Sequence, residues 1–214
     1  WLKNNFGFGE TCDYIDELII TLTTPNPDKK EIANYFEDIK KLKEKIFVPI
    51  TLGGGIRTLE QAKNCFTNGA DKILINYLAH NNLETINKIS DIYGEQAITL
   101  MVDYKKIDGN NYSFINSAEK KSISLKDYFN SLKNLKFGDL IINSIQKDGS
   151  GQGLDTDCLN DFLYDLKKPI LLMGGAGKPE HFVSILKNEK ISGLVTANLF
   201  NFLGTGLELA RSYS

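Results

Sequence analysis

The sequence repeats itself, and no other feature limits its fold so tightly. Pro49-Ile50-Thr51-Leu52-Gly53-Gly54-Gly55 recurs as Pro169-Ile170-Leu171-Leu172-Met173-Gly174-Gly175-Ala176, with Gly53 matched to Gly174 at an offset of 121 residues. Near the same offset, Asp16-Glu17-Leu18-Ile19-Ile20 recurs as Gly138-Asp139-Leu140-Ile141-Ile142. Self-similarity over so long a period marks a fold built from two copies of one block. In each copy an apolar run leads through a glycine loop into an amphipathic stretch. A strand that is apolar throughout must be covered on both faces, which requires a parallel sheet sheathed in helices.

The rest of the chain keeps that rhythm. Strands are expected at Glu17–Leu22, Phe47–Leu52, Lys72–Asn76, Ala97–Asp103, Asp139–Ile145, Pro169–Met173 and Gly193–Thr196. Helices are expected at Asp28–Ile46, Leu59–Asn68, Asn82–Tyr93, Leu125–Leu135, Thr156–Leu166 and Pro179–Asn188. Asp28–Ile46 carries Ile32, Tyr35, Phe36, Ile39 and Leu42 at helical spacing. Asp108-Gly109-Asn110 is a hairpin-turn signal inside 105–124.

Seven strands fall one short of a closed (βα)8 TIM barrel. The first strand of the second half ends at Asp103, so its mirror would lie near 103 − 121 = −18, before Trp1. The expected architecture is therefore α/β: a (βα)8 barrel with a half-barrel repeat, its first strand absent from the chain given. It forms one domain over 1–214, N-terminally incomplete. An open seven-stranded sheet is the competing arrangement.

Composition narrows the function classes. Hydrophobic residues make up 42% and charged residues 24%, ordinary for a globular chain. A net charge of −2 argues against nucleic acid or an anionic membrane surface as partner. Cys12, Cys65 and Cys158 form no CxxC spacing, which favours reduced thiols in the cytoplasm over a disulfide framework. With only His80 and His181, no metal site is expected, and no cofactor either. No apolar run approaches the ~20 residues of a membrane span. The chain opens with Trp1 rather than Met, which leaves targeting open.

Gly53-Gly54-Gly55 and Gly174-Gly175-Ala176-Gly177 each lie between a strand and a helix. Glycines let backbone N–H groups approach an anion closely, the chemistry of a phosphate cradle. One cradle would use Gly54, Gly55, Asn76 and Tyr77; the other Gly174, Gly175, Ala197 and Asn198. Two cradles across one mouth suit a substrate with a phosphate at each end. The competing reading is that the glycines merely make tight turns. Polar residues at barrel strand ends converge on the mouth, so Asp103 is the candidate acid/base. Asn143, Ser144 and Asp148 are candidate substrate contacts, although Asp148-Gly149 is also ordinary turn chemistry. Lys147 could pair with a phosphate, and a solvated lysine is the alternative.

Residues 48–76 (VPITLGGGIRTLEQAKNCFTNGADKILIN), 139–155 (DLIINSIQKDGSGQGLD) and 174–182 (GGAGKPEHF) closely resemble the cyclase subunit of imidazole glycerol phosphate synthase, the HisF family. The likeness runs from about Asp16 to Phe202. It implies a lyase of histidine biosynthesis that receives ammonia from a glutaminase (HisH-like) partner through the barrel core. It assigns Asp103 to catalysis. It places Gly54, Gly55, Asn76 and Tyr77 at one phosphate site, Gly149, Gly175 and Asn198 at the other, and Glu17, Lys72 and Asp139 at the ammonia gate. The sequence departs from the family at Leu22, where an aspartate is usual, at Gln146-Lys147 in place of Asp-Arg, and at Asn198 in place of serine. These departures fit a paralogue that uses ammonia to make an amidino or amide group on a bacterial surface sugar. A sugar-phosphate isomerase and a non-catalytic scaffold barrel are further alternatives.

Overall fold

Local chemistry starts the helices where the periodicity begins. The computed structural model describes residues 14–115, 120–159, 166–197 and 206–212. Its strands are β1 (Leu18–Thr21), β2 (Ile50–Gly53), β3 (Lys72–Ile75), β4 (Ile98–Ile107), β5 (Asn110–Ile115), β6 (Lys120–Ser124), β7 (Asp139–Ser144), β8 (Ile170–Met173) and β9 (Gly193–Val195). Its helices are α1 (Lys29–Lys43), α2 (Leu59–Thr67), α3 (Tyr77–Asn81), α4 (Leu83–Tyr93), α5 (Leu125–Ser131), α6 (Glu180–Leu186) and α7 (Gly206–Ser212). Asp28 caps α1 and Thr58 caps α2, each in a reciprocal box with Glu31 or Gln61 three residues on. Asn82 and Ser124 cap α4 and α5 through their side chains.

Seven strands pair in parallel in the order β1-β2-β3-β4-β7-β8-β9. They form the curled, helix-covered sheet of a TIM-barrel-type α/β fold. Among the described residues, β1 and β9 border the sheet. Every residue of β2 is buried, and β7 is buried throughout except at Asp139. Ile50, Leu52, Ile73, Ile75, Ile98 and Leu100 have no exposed surface. Each such side chain stabilises the fold by roughly 1.5–3 kcal/mol. No helix of the described residues is long and apolar enough to cross a membrane.

The hairpin signal is realised as a branch of the sheet. β4 runs on past Asp103 to Ile107 and turns at Asp108-Gly109 into antiparallel β5. Both turn residues have positive φ, 49° and 81°, as a tight two-residue hairpin turn requires.

Several boundaries move. β2 begins at Ile50 rather than Phe47, because Val48 and Pro49 lead in as loop and Phe47 stands 94% exposed. The stretch before α4 folds into the unanticipated short helix α3. The helix expected at Thr156–Leu166 lies mostly outside the described residues.

The repeat is confirmed with its register shifted by one. Leu18 pairs with Ile50 as Leu140 pairs with Ile170, and Thr21 with Gly53 as Asn143 with Met173. Gly53 is therefore level with Met173, and Gly54 with Gly174. The backbone agrees: Gly54 has φ +101° and Gly174 +95°. A Cβ on Gly54 would fall 2.1 Å from the Leu22 carbonyl, and one on Gly174 2.6 Å from that of Ser144. Three glycines in a row fit either alignment on paper; only strand pairing chooses.

Candidate active site

Strand register assembles the mouth. Asp103 pairs with Asn143, Asn143 with Met173, and Met173 with Val195, so one level row crosses β4, β7, β8 and β9. Asp103 is 7% exposed. Its Oδ2 accepts a 2.8 Å hydrogen bond from Asn76 Nδ2, and its Oδ1 a 2.7 Å bond from Asn143 Nδ2. Burial raises its pKa above the ordinary carboxylate value; the two amide donors pull it back down, and the charge of Asp148 adds to the rise. Asp103 is thus a carboxyl whose proton is held more tightly than in water.

On one side of Asp103 lies the loop of Gly54 and Gly55, with Arg57 stacked over the Tyr77 ring at 4.6 Å. On the other, Asp148, Met173, Gly174, Gly175, Ala176, Val195, Thr196 and Ala197 line a pocket. The glycine conformation is demanded there too: a Cβ on Gly175 would meet the Gly153 carbonyl at 2.2 Å. Gly149, with φ +73°, makes the turn beside Asp148. Ser144 is buried, its Oγ donating to Asp155 Oδ2 at 3.4 Å. Asn198 lies outside the described residues.

Behind Asp103 sit two side chains that the sequence did not single out as a site. Tyr128, fully buried on α5, is held un-ionised by burial and by the Asp103 charge. The His80 ring packs on it, 4.5 Å between centroids, and burial pushes its pKa down to about 4. Apolar-looking helix positions gave no signal of this contact. Gln146 Oε1 accepts from the Lys106 backbone N–H at 3.0 Å. His181 accepts from Gly177 N–H at 3.2 Å, a structural contact. Cys65 and Cys158 are buried, and burial pushes both thiols up to about 11. Among the described residues no three His, Cys, Asp or Glu side chains gather as a metal ion would need.

The opposite end of the strands carries a charge cluster. Lys72 Nζ bonds Glu17 Oε2 and Asp139 Oδ2, each at 2.8 Å. Thr51 donates to Glu17, and Thr99 donates to Asp139 at 3.1 Å. Burial works to lower the Lys72 pKa, but the two carboxylates outweigh it and the net shift is upward.

Residues 25–205 match the family described as histidine biosynthesis protein. A protein of Parasynechococcus marenigrum, provisionally named imidazole glycerol phosphate synthase subunit hisF2, is 37% identical over 212 residues, covering 99% of this chain and 78% of that protein. Imidazole glycerol phosphate synthase subunit HisF of Natranaerobius thermophilus is 31% identical over 199 residues, 92% of this chain and 78% of its own length. The same-named subunit of Leptospira biflexa is 31% identical over 190 residues, 87% and 74% of the two chains.

Proposed function

Because this chain belongs to the histidine biosynthesis protein family, as a HisF-type barrel, we propose that it joins ammonia to a substrate with a phosphate at each end. A glutaminase partner docks where the strands begin and supplies the ammonia. The Glu17–Lys72–Asp139 cluster gates its entry into the barrel. At the mouth one phosphate rests on the backbone N–H groups around Gly54 and Gly55, with Asn76 and Tyr77 at its edge. The other rests at Gly149, Gly174, Gly175, Ala197 and Asn198. Asp148 repels phosphate, so it suits a substrate hydroxyl beside that cradle.

Asp103 takes a proton from nitrogen as the new C–N bond forms and returns it to the atom that leaves. A carboxyl with a raised pKa is suited to both steps, because general catalysis is most effective when the pKa approaches the working pH. The observation that carries this reading is the buried Asp103 of β4, held by Asn76 and Asn143 between the strands that lead into the two glycine loops. The test is turnover of the histidine-pathway cyclase substrate with ammonium salt. Folded wild-type protein should react, and Asp103→Asn should lose about 100-fold or more. No reaction by folded wild-type protein would overturn the histidine branch.

The second reading, the sugar-modifying paralogue, is favoured by Leu22 and by Gln146, whose side chain is spent on Lys106. It expects ammonium-dependent change of a sugar nucleotide instead.

A further inference from the structure

Asn143 is engaged in a way that substrate binding alone does not require. Its amide N–H donates to Asp103 Oδ1, inside the protein, at 2.7 Å. Its own carbonyl oxygen is buried and has no partner among the described residues. Asn76 repeats the pattern from the opposite side: N–H to Asp103 Oδ2 at 2.8 Å, and a buried carbonyl oxygen without a partner among the described residues. Such atoms cost roughly 1–3 kcal/mol each, so two on one carboxyl group ask for a reason.

An amide carries a donor and an acceptor on one planar group, and a half-turn about χ2 exchanges them. A carboxylate only accepts, whereas a carboxylic acid also donates. Resting on the acid/base role given to Asp103 above, we propose that Asn143 is a positioning residue that serves both protonation states of Asp103. Its N–H holds the carboxylate; after a half-turn its carbonyl receives the acid's O–H. The unpartnered oxygen is then the acceptor kept for the second state.

Gly174 gives this amide its room. A Cβ there would lie 2.9 Å from the Asn143 carbonyl oxygen, so any side chain would press on the amide. The glycine thereby links the second loop to the acid/base. The other titratable groups that act on Asp103 are Asp148, from the loop after β7, and Tyr128 from α5, with His80 of α3 beyond it.

The test is to follow the Asp103 carboxyl carbon by 13C NMR across pH in the full chain, assigned with Asp103→Asn. Asn143→Ala and the near-isosteric Asn143→Leu take the donor from the carboxylate and the acceptor from the acid together, so the midpoint should rise by well under a pH unit, whereas loss of a donor alone would raise it by about one. A rise of a full pH unit in a folded variant overturns the proposal. In wild type the Asn143 side-chain 15N signal should shift with the same midpoint; a signal flat through it overturns the proposal with no substitution made. In turnover, Asn143→Ala should lower kcat with little change in KM, whereas a simple substrate ligand would raise KM. Absence of wild-type turnover would sink the functional reading and leave the titration to judge Asn143.

Discussion

Asp103 is the residue on which stability and chemistry oppose each other. Its folded pKa is raised, so its contribution to stability is fully present below the unfolded value near 4 and is lost as pH rises through the folded value. At pH 7 to 8 Asp103→Asn should therefore raise the melting temperature, and that gain should vanish below about pH 4. Calorimetry across pH checks it; a variant less stable at pH 8 would contradict it. His80 has the opposite sign. Its folded pKa is depressed to about 4, so its contribution is present above the unfolded value near 6.5 and lost as pH falls toward 4. His80→Phe keeps a ring on Tyr128 and removes the titration. Its stability should fall less steeply than wild type between pH 6.5 and 4, by no more than about 3 kcal/mol in total.

Among the elements, the glycine loops separate packing from conformation. A Cβ on Gly54 would strike the Leu22 backbone, which has no side chain to move aside, and its φ of +101° is already unfavourable. Gly55 faces open space at φ +69°. Gly54→Ala should cost about 3 kcal/mol or more, and Gly55→Ala about 1 kcal/mol, as urea midpoints will show. The strands themselves were legible in the sequence, because an uninterrupted apolar run such as Leu18–Ile20 or Leu140–Ile142 has few ways to hide both faces. Asp103 was legible as the polar end of such a run. The one-residue shift of the repeat was not, since it depends on which Cα atoms face each other. The grip on Asp103 was equally hidden: Asn76 and Asn143 reach it from 27 and 40 residues away, distances no local pattern spans. Hydrophobicity alone puts exposed Phe47 in a strand, because it cannot say where a pleat begins.

For the whole molecule, the charge cluster at the strand starts ties β1, β3 and β7 through one lysine. Lys72→Met would leave Glu17 and Asp139 facing each other. With the cluster partly exposed, the loss should be about 1–2 kcal/mol; chemical denaturation checks this. At the other end, the two amides on Asp103 come from different halves of the duplicated chain: Asn76 follows β3, and Asn143 sits on β7 beside β4. The carboxyl group is in effect a rivet through the join between two ancestral pieces. Anything that lets those pieces breathe apart slackens the rivet before it melts either piece. A heating curve of catalytic rate should therefore bend downward several degrees before the far-ultraviolet signal of the helices does.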